Sequence, residues 1–187
     1  MTDTIVALDF EGNPEHEPYF SDDQWELLNE YQKVWLTDDY NKDARDLMMS
    51  RMLRKPVAQM KHTIDTMLGK TNKTEDPMKL MIYSAHDTQV VNMMDFLQKD
   101  FDWVPYASTV VFELKYQESC VKLGGAEECF GVSVIFNGRP QLFKGCTGDL
   151  FTLEGCKWTE FEAYLKNVWY SGPSADNLNT ACATPVV

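Results

Sequence analysis

Lys79-Leu80-Met81-Ile82-Tyr83-Ser84-Ala85-His86-Asp87-Thr88 is the stretch on which the reading of this chain turns. The apolar run from Leu80 to Tyr83 predicts a buried strand over 79–84. Behind it, Thr88 to Lys99 predicts a helix, with apolar residues at helical spacing from Val90 to Leu97. The C-terminal end of a strand beside a helix N-terminus is where α/β folds hold anions. His86 and Asp87 set an imidazole and a carboxylate side by side there, a pair suited to phosphate chemistry. The bland alternative is a capping aspartate and a satisfied histidine. No nucleophile motif accompanies the pair anywhere in the 187 residues.

Working outward, the composition bounds the function. A chain of 187 residues with 44% hydrophobic content builds one domain with a real core, with room for a small cap. The net charge of −12 argues against nucleic acid or an anionic membrane as partner. No run approaches the roughly 18 apolar residues of a membrane span. Met1-Thr2-Asp3-Thr4 has no basic flank and soon reaches Asp9 and Glu11, so no signal peptide is expected there.

All five cysteines fall in the C-terminal half: Cys120, Cys129, Cys146, Cys156 and Cys182. No Cys-x-x-Cys pair and no nearby histidine offers zinc spacing, so neither metal nor cofactor is expected. Cys120 and Cys129 flank Gly124-Gly125 and can close a hairpin, Cys146 and Cys156 bracket a short loop, and Cys182 is left over. The alternative is five reduced, buried thiols. The glycosylation acceptor Asn72-Lys73-Thr74 favours disulfides, and with them a glycoprotein.

The pattern changes near residue 75. Residues 1–75 form a helical, cap-like region. Ser21-Asp22-Asp23-Gln24 is a capping box, followed by Trp25, Leu28, Tyr31 and Trp35 on one face. A second helix covers Asp43 to Leu53, with Ala44, Leu47, Met48 and Met52 inward; Pro56 interrupts or restarts it before the stripe Val57, Met60, Ile64, Met67. Residues 76–187 form the α/β portion that carries the His-Asp pair. There, 109–116 and 130–136 predict a hairpin pair of strands, Asn137-Gly138-Arg139-Pro140 a turn, and Trp158 to Trp169 a last amphipathic helix. Acidic patches such as Glu11 to Glu17 and Asp38-Asp39 read as solvated faces, and Trp103 and Tyr106 as loop packing.

Lys79 to Thr88, then Pro105-Tyr106-Ala107-Ser108, then Phe112-Glu113-Leu114, resemble the C-terminal half of the histidine acid phosphatases. The resemblance runs from about Asp22 to Cys182 and is strongest over 79–116. It implies the C-terminal part of a histidine-phosphatase-like α/β sheet domain preceded by a helical region, with His86 and Asp87 at the rim of the sheet. It implies phosphomonoester hydrolysis through a phosphohistidine intermediate, without metal or cofactor. By position, Asp87 is the proton donor to the leaving group and His86 the phosphoryl-binding residue, with arginines holding the phosphoryl oxygens. Glu113 reads as an edge-strand carboxylate.

The family's nucleophile motif, Arg-His-Gly-x-Arg-x-Pro, has no counterpart here. His16 lies in Glu15-His16-Glu17-Pro18 and His62 follows Lys61 on a helix; Arg51-Met52-Leu53-Arg54-Lys55-Pro56 lacks a histidine and reads as helix surface. The resemblance therefore implies a partner chain or a further N-terminal half that supplies the nucleophile. That half would also hold the first strand of a parallel sheet, the partner of Cys182 and any signal peptide. The spacer from Cys146 to Cys156 is longer than the family's usual short loop. The implied setting is secreted, lysosomal or another endomembrane lumen. The competing class is a non-catalytic binding or structural subunit: a starting Met1 favours it, and the intact Ala85-His86-Asp87-Thr88 favours the enzyme.

Overall fold

The computed structural model describes residues 2–13, 20–38, 41–71, 78–101, 103–148 and 155–183. His16, Asp39 and the acceptor triplet Asn72-Lys73-Thr74 lie outside them. The described chain is a mixed α/β protein with seven helices and a small antiparallel sheet, and it divides into two compact units, Met1–Asn41 with Ala85–Ser108, and Lys42–Ser84 with Thr109–Val187.

In the second unit the expected hairpin forms. Strand β1 (Val110–Tyr116) pairs antiparallel with β2 (Phe130–Phe136), Val110 opposite Phe136 and Tyr116 opposite Phe130. β2 is central: β3 (Arg139–Pro140) and β4 (Cys156–Lys157) pair with it as well, both antiparallel. Asn137 (φ 46°) and Gly138 (φ 77°) are both left-handed, the two-residue turn whose twist suits a hairpin. That turn is tighter than the sequence suggested, because Arg139 and Pro140 already belong to β3.

Between β1 and β2 the chain passes through α5 (Glu118–Lys122) and a 3₁₀ turn (Glu127–Cys129), joined by a disulfide between Cys120 and Cys129. Gly125 is obligatory there: a Cβ would lie 2.1 Å from the Cys129 Sγ. The second disulfide, Cys146–Cys156, ties the start of β4 to the preceding loop. Helix α6 (Trp158–Val168) buries Trp158, Phe161, Tyr164, Leu165 and Val168 on one side, and the Phe143 ring meets Phe161 edge-on and Tyr164 at a tilt, at centroid distances of 5.9 and 4.7 Å. Burial pushes the Tyr164 hydroxyl up to about 12.

Helix α3 (Lys42–Met67) runs unbroken through Pro56, where the sequence predicts an interruption. An interior proline costs a helix about 3 kcal/mol, which the buried Met49, Leu53 and Ile64 offset by packing. At its far end Lys61 donates to Asp65 and to Glu127, and Lys70 also donates to Glu127. Those hydrogen bonds hold the Glu127 carboxyl below its ordinary value. Ser50 accepts from the Tyr170 backbone N–H, and α7 (Leu178–Ala183) buries Leu178 and Ala181.

In the first unit α1 (Thr2–Phe10) lies within the region expected to be helical, although no motif marked its bounds. Helix α2 (Asp22–Asp38) opens on the expected box, with Ser21 N–H donating to the Gln24 side chain. Its inward side is not the one expected. Tyr31 and Trp35 face water, while Gln32 is buried. Helix α4 (Asp87–Phe96) packs on α2 and buries Val91, Met93, Met94 and Phe96.

The strand expected over 79–84 does not form. Leu80 and Ile82 are 74% and 80% exposed, and no strand among the described residues pairs with the run. The parallel sheet implied by the resemblance is likewise not seen, since every described ladder is antiparallel. A strand is held by its neighbours' N–H and C=O groups, so an apolar run without a neighbour has no ladder to join.

Candidate functional site

The candidate site is the start of α4. His86 is the N-cap residue, with extended backbone (φ −88°, ψ 166°), and Asp87 occupies the first helical position. Gln89 closes the box by accepting from the His86 N–H at 3.0 Å, and the Asp87 Oδ1 accepts from the Thr88 N–H at 2.7 Å. The carboxylate therefore satisfies one of the donors a helix start leaves open and sits at the favourable end of the helix dipole. Below it the Asn92 amide donates to the Thr88 carbonyl at 2.7 Å.

Asn92 is the residue the sequence reading missed. It is 1% exposed, and its Oδ1 has no hydrogen-bond partner among the described residues. The available signal was an amide inside the otherwise apolar run Val90–Leu97. His86 and Asp87 themselves are exposed. Adjacent at a helix start, one offers ring nitrogens and the other an acceptor or, when protonated, a donor.

The other expected residues are distributed between the units. Pro105 to Ser108 belongs with α4: the Ser108 hydroxyl donates to the Pro105 carbonyl at 2.6 Å, Ala107 is left-handed (φ 59°), and Tyr106 lies 4.8 Å from the Phe10 ring. Lys33 donates to the Phe101 carbonyl and lies over that ring. Phe112, Glu113 and Leu114 lie on β1 in the other unit, where Glu113 pairs with Lys115 at 3.2 Å. His62 lies half-buried on α3, and Arg51 and Arg54 are exposed on the same helix. All four arginines, Arg45, Arg51, Arg54 and Arg139, belong to the second unit by sequence, so the unit of His86 and Asp87 contains none.

Cys146, Cys156 and Glu160 bring their ligand atoms within 4.8 Å of one another. The two sulfurs are bonded to each other, leaving no thiolate for a metal, and Glu160 accepts instead from the Thr147 and Lys157 backbone N–H groups. Cys182 is free and exposed. Two disulfides are compatible with an oxidising, secreted or lumenal compartment. No described helix is long and apolar enough to cross a membrane. No protein-family model, no curated protein and no solved structure matches the chain.

Proposed function

We propose that the chain is the His-Asp portion of a phosphomonoesterase of the histidine acid phosphatase type, working in a secreted, lysosomal or other lumenal setting. The observation that carries this reading is Ala85-His86-Asp87-Thr88 opening a helix with both ionisable side chains at the surface, followed by Pro105 to Ser108 and Phe112 to Leu114. The nucleophilic histidine and its arginine clamp come from a segment or partner chain outside these residues.

In this reading the histidine nitrogen bonds to phosphorus as the phosphorus–oxygen bond of the ester breaks. Asp87 delivers a proton to the departing alkoxide, a contribution of about 10²–10⁴-fold. Water then attacks the phosphohistidine, and Asp87 takes back a proton. His86 hydrogen-bonds the phosphoryl oxygens, and the positive end of the α4 dipole adds to the same field. A second reading, a binding or structural subunit without catalysis, is favoured by the absence of arginine from the unit that carries the pair.

The test begins with the chain alone, which should hydrolyse an aryl phosphate negligibly at acidic pH and trap no phosphohistidine. Once a segment bearing Arg-His-Gly-x-Arg-x-Pro restores turnover, Asp87→Asn should slow alkyl phosphates by about 10²-fold or more while nitrophenyl phosphate, whose leaving group needs no proton, changes little. His86→Ala should slow both. Robust turnover by the chain alone, untouched by either substitution, overturns the assignment. Failure of every such segment to restore activity selects the non-catalytic reading.

A further inference from the structure

We propose that the outer face of α2 is a docking surface for a basic amphipathic helix of another protein. Leu27, Tyr31, Val34 and Trp35 are 65%, 67%, 53% and 59% exposed, four large apolar side chains within nine residues of one helix. With Gln24 in front, positions 24, 27, 31 and 34 repeat at intervals of three, four and three, the a and d seam of a two-helix coil. The face on which α2 meets its own unit is another one: Gln32 is buried, and it lies about 100° around the helix from Tyr31. An apolar seam turned to water beside a separately buried face is the pattern of a helix with a second partner.

Charge identifies that partner. Asp23, Glu26 and Glu30, each one residue ahead of a seam position, are exposed acids along one border of the stripe. The only lysine of α2, Lys33, is engaged with the Phe101 carbonyl. A second copy would bring another acidic border, on another chain of net charge −12, to the same seam. A helix with leucine-like residues at a and d and lysine or arginine beside them matches both the seam and its border. The inference stands apart from the phosphatase reading and is tested without any activity measurement.

Two synthetic helices serve as probes in calorimetric titrations of the full chain, both with leucine at a and d, one with lysine and one with glutamate at the remaining positions. The lysine helix should bind and the glutamate helix should not. Binding should weaken at least about tenfold in 1 M salt, where the Debye length falls to about 3 Å. Leu27→Ser with Tyr31→Ser should lower affinity about a hundredfold, from the loss of two apolar contacts, with the thermal unfolding of the chain unchanged because both side chains are at the surface. Trp35→Phe, which keeps an apolar ring beside the seam, should retain binding. Equal binding of both helices, no binding of either, or binding indifferent to the double substitution overturns the proposal. So does self-association of the chain that the same double substitution abolishes.

Discussion

Two apolar runs of this chain carry nearly the same local message and meet opposite fates. Phe130 to Phe136 becomes the central strand of the sheet, with six of its seven residues buried. Among the described residues Leu80 to Tyr83 joins no ladder, and three of its four side chains are exposed. Hydrophobicity does not separate them, since all four residues of the shorter run are apolar. The difference is what lies next in the sequence. β2 has a partner fourteen residues before its start, brought back by a short connection that a disulfide closes, and a second partner just past an Asn-Gly turn. The 79–84 run has a polar connector on one side and a helix on the other. A strand is a relation between segments, and only one of the two runs has its relatives nearby.

The comparison breaks first at Phe130. Phe130→Ala empties a fully buried position of the central strand and should cost about 3–5 kcal/mol, read as a fall in urea midpoint with the slope unchanged. A loss below 1 kcal/mol would mean that β2 is not the packed strand described above. Next comes the closure itself. Replacing Cys120 and Cys129 together by alanine should cost about 2–4 kcal/mol, and a reductant, which also opens Cys146–Cys156, should cost the native chain at least as much. An unchanged midpoint would show that the local turn alone brings β1 to β2. Smallest is the other run: Ile82→Thr should change stability by no more than about 0.5 kcal/mol, the range of a surface substitution. In hydrogen exchange the amides of 80–84 should show no protection while those of 130–136 are among the slowest. Protection at 80–84 would mean that the run has found a partner, in the same chain or another.

The contrast also explains which parts were legible beforehand. Strands 110–116 and 130–136, the turn at Asn137-Gly138, the helices behind His86 and Trp158, and the capping box at Ser21 all rest on contacts within a few residues or on one short loop. The burial of Gln32 in place of Tyr31 was not legible, because α2 has apolar residues on two faces and only its neighbours choose between them. The unbroken α3 was hidden for a related reason: Pro56 signals a break locally, and the buried Met49, Leu53 and Ile64 on either side outweigh it. The Lys61–Glu127 pair joins residues 66 apart, with no local pattern to announce it.

At the candidate site the sequence alone determined that His86 and Asp87 stand together at the start of a helix, because capping and helical period are properties of adjacent residues. It also determined how the cysteines could pair, since each pair brackets a loop of about ten residues. Tertiary structure decided what adjacency cannot. Among the described residues it left the run before the pair without a ladder, set Glu113 and every arginine in a different compact unit from the pair, and left one oxygen of Asn92 without a partner beneath the helix start. The physical reason is range: turns, caps and helical faces depend on neighbours a few residues away, whereas strand pairing, burial and the grouping of charges depend on which distant segments the whole chain brings together.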